Sequence, residues 1–353
     1  MRARSRLVAL ATVLLAAACS SHNPAPQASA SPSPPPSTTV TPSPTPTAKP
    51  RPKPARMTHN PLTGRLGVPT GPVIAVKIDN TAAARPQVGL ESADVVYVEQ
   101  VEGGATRLVA VFASHRPRRV EPVRSVRNSD PELLVSYGRV ALAYSGGAGR
   151  PLATLHRSPL IDASPATKGF AYHRDGGRHA PYNLVVDLTR LATGLSRVVA
   201  RVRDVGFRWA AADPRLARGM RANRVSAVVG VTLVTFRWDG PHSRWVLAGS
   251  DGSIRRSASG VPLGAPNVIF QFCSVTIDRT DVDVLGTPSR YTHTVGTGPA
   301  MLFRDGRRLT GRWIRPGARS GTRFVDRAGH DLLLRPGGVW VVLVATGARY
   351  TIR

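Results

Sequence analysis

Cysteine is almost missing from this 353-residue chain, which has only Cys19 and Cys273. If Cys19 is consumed elsewhere, Cys273 has no partner for an intramolecular disulfide, and stability must come from buried cores. Lysine is nearly as scarce. Of 48 basic residues only Lys49, Lys53, Lys77 and Lys168 are lysine, and so heavy an Arg bias beside abundant Ala, Gly and Pro fits a GC-rich genome. No acidic residue occurs in the first 56 positions. The common hydrolase signatures are missing as well: there is no Ser-x-x-Lys and no His-Glu-x-x-His. The run Tyr144-Ser-Gly-Gly-Ala-Gly149 lacks both the Gly-x-Ser-x-Gly elbow and the Walker lysine. His173-Arg-Asp-Gly-Gly-Arg-His179 matches no standard ligand spacing. No metal, cofactor or catalytic residue is therefore assigned.

The N-terminus has a clear design. Arg2, Arg4 and Arg6 precede the apolar run Leu7 to Ala18, which is too short to cross a bilayer as a helix. This is the pattern of an export signal. It ends in Leu15-Ala16-Ala17-Ala18-Cys19, which resembles the lipobox of bacterial lipoproteins, where the cysteine is acylated (palmitate being one such acyl group) and the chain is cut before it. Ala16 stands where a lipobox usually has Leu. An ordinary cleavable signal with an incidental cysteine would also export the protein. Residues 1–19 are thus expected to be a signal peptide with Cys19 as the lipidation site, placing the chain outside the cytoplasm and anchored to the cell membrane.

From Ser20 to Arg56 there are 12 Pro in 37 residues, mixed with Ser, Thr and Ala. Such a segment cannot bury a core, and it is expected to be a disordered, semi-rigid spacer reaching up to ~100 Å at about 3.1 Å per residue. Its Ser and Thr are candidate acceptors for O-linked sugar. The rest of the chain is strongly basic. Of the formal +27, the first 56 residues supply five Arg and two Lys, so the body carries 41 basic against 21 acidic residues, or +20. Outside a bacterial membrane, the polyanions such a body meets are lipid head groups, lipid-linked phosphates and wall polymers. Export excludes nucleic acid as the expected partner.

In the body, hydrophobic patterning divides the chain near residue 205. Residues 57–205 alternate strand-like runs (Pro72 to Asp79, Ala93 to Val101, Thr106 to Phe112, Val140 to Ser145, Asn183 to Val186) with helix-like ones. A helix is predicted from Ser129 to near Gly138, and another from Leu188 to Arg203 with Leu191, Leu195, Val198, Val199 and Val202 on one face. Glu102-Gly-Gly-Ala105 predicts a hairpin turn that sets Arg107 opposite Gln100. Residues 206–353 consist of short β runs, among them Val228 to Trp238, Val268 to Ile277 and Val339 to Ala345, with a short helix at Arg215 to Arg221. The fold class is α+β: an N-terminal α/β-type mixed-sheet domain followed by a mostly β C-terminal domain. Cys273, in a β-like run, is expected to be a buried small apolar residue.

Several motifs carry a family likeness. Asn60-Pro-Leu-Thr-Gly64, Val76-Lys-Ile-Asp-Asn80, Ala84-Arg-Pro-Gln87, Ala93-Asp-Val-Val-Tyr97, Val101-Glu-Gly-Gly-Ala-Thr-Arg107, Pro122-Val-Arg-Ser-Val-Arg127 and Ala180-Pro-Tyr-Asn-Leu184 resemble, in this order, the N-terminal domain of the YerB-like bacterial lipoproteins. Ala265-Pro-Asn-Val-Ile269, Phe303-Arg-Asp-Gly306, Gly311-Arg-Trp313 and Pro336-Gly-Gly-Val-Trp340 resemble its C-terminal domain. The likeness spans nearly all of residues 59 to 345. Glu121 and Tyr182 depart from it, standing where the family more often has Gly and often has His. It implies an extracytoplasmic lipoprotein with a two-part domain of unknown function, and it names no reaction.

The candidate site is an arginine cluster. Arg124 and Arg127 lie just before the predicted helix start, where free amides and the helix dipole favour an anion, and guanidinium suits phosphate or carboxylate. Arg85, Arg107, Arg174 and Arg178 are candidates to join them, with Asp79 at the end of the first strand. Two functions follow from this reading. One is a non-catalytic lipoprotein binding an anionic wall polymer or a wall-processing protein. The other is an enzyme on phosphate-bearing envelope glycans or lipid-linked precursors, with Asp79 as base or metal ligand, similar in outline to the LytR-CpsA-Psr phosphotransferases. The discriminating geometry is whether Arg85, Arg107, Arg124 and Arg127 meet Asp79 in one concavity.

Overall fold

A computed structural model describes residues 57–195, 199, 201–283 and 286–353. Cys19, the spacer, and positions 196–198 and 200 of the second predicted helix lie outside the described residues.

The central layer is one large mixed sheet, and its strands come from both halves of the sequence. In the first half these are β1 (Ile74–Asp79), β2 (Val95–Gln100), β3 (Thr106–Phe112), β4 (Ala141–Ala143) and β5 (Ile161–Asp162). Spatial order runs Arg323–Val325, Arg307–Arg315, Gly296–Arg304, Asn267–Cys273, Val339–Ala345, β2, β3, β1, β4, β5. Val339–Ala345 lies parallel to both Asn267–Cys273 and β2, so it joins the halves edge to edge by backbone pairing. The division at residue 205 therefore does not separate two sheets.

Both faces of the central strands are buried, which is why β1, β2 and Val339–Ala345 are mostly apolar on both faces. Ile74, Val76, Ile78, Val96 and Val98 face one core, and Val73, Ala75, Val95 and Tyr97 face the other, as the two-residue period of a strand requires. The first core is closed by a five-stranded antiparallel sheet built from Arg224–Val229, Thr232–Asp239, Arg244–Ala248, Gly264–Ala265 and Tyr350–Ile352. Phe236 meets Trp340 edge-on at 5.5 Å, and Trp245 meets Phe303 at 5.9 Å. Over the second core lie α1 (Ser129–Leu134) and α2 (Gly149–Arg157). Cys273 is buried there, and burial raises its thiol to about 12.

Five expectations need correction. The run Val268 to Ile277 is two strands, Asn267–Cys273 in the large sheet and Val275–Val282 in a separate two-stranded sheet. The helix from Leu188 ends at Thr193, with Gly194 as its cap, and Val202 packs in the core opposite to that of Leu191 and Leu195. Apolar residues with helical spacing thus serve two layers. The run Val228 to Trp238 is not one strand but a hairpin turning at Gly230 (φ 63°), where a Cβ would stand 2.1 Å from the Gly104 carbonyl oxygen. A lone glycine in an apolar run signals a close backbone approach, which the contact with Gly104 is, but not a reversal of the chain. Arg215 to Arg221 divides into a 3-10 turn, Pro214–Arg218, and a short strand, Met220–Arg221. Finally, a three-residue turn at 102–104 pairs Arg107 with Glu99, not Gln100. That one-residue slip sets Glu99 across from Arg107 in the backbone pairing, while the expected neighbour Glu102 stays within 4.0 Å of its side chain.

Candidate functional site

The polar centre of the molecule lies at the carboxyl ends of β1 and β4. These strands run parallel, and β4 continues through Tyr144-Ser-Gly-Gly-Ala148 into α2 and back to the parallel β5. In α/β sheets this is the end at which ligands bind, because loops and helix N-termini converge there. Gly146 adopts φ 138°, a conformation that favours glycine, and no side chain caps the first turn of α2. The N-terminus of α2 consequently opens onto a cavity of about 670 Å3.

Three arginines and several acids line this cavity. The register β1–β3–β2 sets Asp79, Arg107 and Glu99 in one row across three strands. Arg124 donates from Nε to Asp79 Oδ2 at 2.7 Å, while Asp79 Oδ1 accepts the Thr81 amide at 2.7 Å. Arg127 donates from Nε to Glu102 Oε2 at 2.7 Å, and Ser289 Oγ donates to Glu102 Oε1 at 2.9 Å. Ser289 belongs to the hairpin Val275–Val282/Pro288–Thr292, which walls the far side of the cavity. Arg107 is the least engaged of the three: Nη1 is 4.0 Å from Glu102 Oε2 and 3.4 Å from the Ser125 carbonyl. Burial, followed by the neighbouring Arg127 charge, lowers the Arg107 guanidinium to about 10, so it remains a cation at pH 7.

Beneath the cavity sits a group that no functional argument from sequence singled out. Lys77, wholly buried, donates to Asp130 Oδ1 at 2.6 Å and contacts Glu99 Oε1. Asp130 Oδ2 in turn accepts the Arg127 amide at 2.6 Å, fixing the backbone from which Arg127 extends. Burial lowers the Lys77 ammonium to about 8 against the opposing pull of Asp130. The sequence did carry a signal, since a lone lysine between Val76 and Ile78 in an apolar strand must enter a core.

The seven candidate residues divide by location. Asp79, Arg107, Arg124 and Arg127 share the cavity. Arg174 lines an adjoining cavity of about 600 Å3 that shares Arg124, Ser125 and Ser145 with the first, and its Nη1 donates to Asn183 Oδ1 at 2.7 Å. Arg178 lines neither and pairs through Nε with the buried Glu121 at 2.7 Å. Arg85 opens on a third cavity, with Nη2 donating to the Asn80 carbonyl at 2.9 Å. The convergence expected from sequence is therefore met by three of four arginines. The glycine loop, set aside as lacking a catalytic signature, lines the same cavity as those three.

The Glu102 carboxyl gives this arrangement a pH signature. Burial would raise it, but Arg127 and the Ser289 hydroxyl outweigh burial and hold it below its ordinary 4.5. A carboxylate lowered in the folded state stabilises above its unfolded pKa and loses that contribution as pH falls below it. The stability difference between the native chain and Glu102→Gln is expected to narrow as pH drops from 4.5, followed by urea unfolding. A constant difference over that range would mean that Glu102 is not the titrating group.

Among the described residues no helix is long and apolar enough to cross a membrane. Comparison with known proteins places matches over most of the body. Residues 62–201 match the family described as protein of unknown function (DUF3048), N-terminal domain, and residues 225–341 match its C-terminal domain. YerB of Bacillus subtilis (strain 168), named as a candidate lipoprotein, is 48% identical over 54 residues, 15% of this chain and 16% of that protein. The crystal structure of YerB from Bacillus subtilis shares the fold, with a TM-score of 0.70 at 23% identity, covering 83% of this chain and 99% of that one.

Proposed function

The chain belongs to the DUF3048 family, and on that footing we propose that it is a lipid-anchored extracytoplasmic protein that binds the phosphate or carboxylate groups of an anionic envelope component. Arg107, Arg124 and Arg127 would do this together with the amides of the loop after β4. One observation carries this reading: those arginines and the uncapped N-terminus of α2 line the same cavity. Guanidinium groups and helix-end amides are complementary to the same ligand, an oxyanion. Membership in a family that includes a candidate lipoprotein, together with the lipobox-like sequence ending at Cys19, supports the anchor.

The internal charges set what kind of ligand fits. Arg124 and Arg127 are already matched by Asp79 and Glu102, which leaves Arg107 and the amides as the donors that need no exchange of partners. A ligand engaging all three arginines would have to displace Asp79 and Glu102, whereas one phosphate or carboxylate group at Arg107 and the loop amides displaces neither. In the catalytic alternative Asp79 would act as base or metal ligand, but its carboxylate is held by Arg124 and the Thr81 amide. Binding is therefore the reading we adopt.

The full chain carrying Cys19→Ser is the material for the test, titrated with teichoic-type polymer, anionic vesicles and polyprenyl phosphate at two salt concentrations. Arg107→Gln combined with Arg124→Gln is expected to weaken binding at least ~10-fold, the scale of losing one or two charge-assisted contacts. Salt-sensitive binding that survives both substitutions would reduce the interaction to bulk charge.

A further inference from the structure

Arg85 and Arg255 are 170 positions apart in the chain, yet both end on Asn80. Arg85 Nη2 donates to the Asn80 main-chain carbonyl at 2.9 Å, and Arg255 Nη2 donates to its side-chain oxygen at 3.0 Å. The amide is oriented by Asn80 Nδ2 donating to Thr106 Oγ1 at 2.8 Å. Among the described residues neither arginine forms an ion pair, whereas Arg127 and Arg304 each have a carboxylate. Burial and then the adjacent Arg85 charge lower Arg255 to about 9; Asp79 pulls on Arg85 but is already paired with Arg124, so at pH 7 two cations face a cavity whose lining holds no acid. Two like charges at a cavity with no acid of its own are unfavourable, and a bound anion would relieve them.

The remaining walls are apolar. The cavity, about 340 Å3, lies between the large sheet and the five-stranded sheet, with Val98, Leu247, Val234 and Trp340 forming its buried side. At its rim Val231 and Leu233 are 80% and 56% exposed, the most water-exposed large apolar residues in that sheet. A volume of this size is at the low end of the roughly 300–1,000 Å3 typical of small-molecule sites. Free phosphate would use the cations and leave the apolar walls unused, and a neutral chain would do the reverse.

We propose that this cavity is a second ligand site, separate from the β1/β4 cavity, and that it takes an anionic amphiphile: a phosphate or carboxylate head between Arg85 and Arg255 with an aliphatic or isoprenoid chain against Val98, Leu247 and Trp340. The exposed Val231 and Leu233 mark the entry for the chain. Ligand bound here touches both sheets and so bridges the two halves of the sequence.

The test titrates the full chain carrying Cys19→Ser with dodecyl phosphate below its micellar concentration, with inorganic phosphate and dodecyl maltoside as head-only and tail-only arms. Dodecyl phosphate is expected to bind, the other two at least ~10-fold more weakly, since each lacks one half of the recognised chemistry. Arg85→Gln and Arg255→Gln should each raise the Kd by about 10-fold or more, and Arg124→Gln should leave it unchanged. Arg85 is exposed, so its variant decides the matter even if Arg255→Gln fails to fold. Equal binding by native and Arg85→Gln chains, equal binding of dodecyl maltoside, or an equal loss in Arg124→Gln would each overturn the proposal. The last would move the amphiphile to the β1/β4 cavity.

Discussion

Lys77→Met is expected to lower the free energy of unfolding by about 3–5 kcal/mol, measured by urea denaturation at neutral pH. Lys77, Glu99 and Asp130 have side chains with no solvent exposure, and among the described residues Lys77 is the only cation paired with either acid. Methionine matches the volume of the lysine stem but leaves two carboxylates adjacent in a dry core. Each then bears a desolvation cost with no directly paired cation. The effect should extend to the binding cavity, because Asp130 also holds the Arg127 amide. A loss under ~1 kcal/mol would mean that the acids find water or protons instead, and that Lys77 does not organise the floor of the cavity.

Arg315→Met should cost a similar amount, again about 3–5 kcal/mol, for a different reason. Arg315 is 1% exposed and donates to the carbonyls of Ser320, Glu132 and Ala318 at 3.1, 2.6 and 2.6 Å, and to Thr294 Oγ1 at 3.1 Å. Glu132 belongs to α1, and its carboxylate also receives the amides of Thr294 at 2.6 Å and Val295 at 3.2 Å. This clasp ties α1, and with it the segment bearing Arg127, to the second half of the chain. Removing the guanidinium leaves several buried oxygens unsatisfied at once. Arg315→Lys should recover only part of the loss, because one ammonium cannot reach carbonyls placed for a planar fork. Full recovery with lysine would show that charge alone matters at this position.

The architecture was legible where burial imposes a period. The strands Ile74–Asp79, Val95–Gln100 and Val339–Ala345 are mostly apolar on both faces because both faces of the central sheet are covered there. Ser129-Asp-Pro-Glu132 marked a helix start correctly by its composition. Element ends were less legible. Leu191, Leu195 and Val202 have helical spacing yet serve opposite cores, and the turn at Gly230 is set by its contact with Gly104 rather than by local propensity. Spacing records which residues are buried but not in which layer.

The site divides the same way. Arginine abundance and the helix-end position of Arg124 and Arg127 pointed to an anion, and Asp79 was placed at the end of its strand by alternation alone. Whether Arg107 opposes Gln100 or Glu99 depended on one residue in a turn, and that register puts it in a row with Asp79.

By itself the sequence set out an apolar run behind three arginines, a proline-rich segment and a basic body with apolar strand-like runs, because these follow from composition and local period. Tertiary structure alone decided that both halves share one sheet, that Lys77 sits between two acids, and that Arg85 leaves the other arginines to meet Arg255 at Asn80. Those pairings join residues tens to hundreds of positions apart. They are fixed by strand order and register, which come from the summed packing of the whole core and from no single segment.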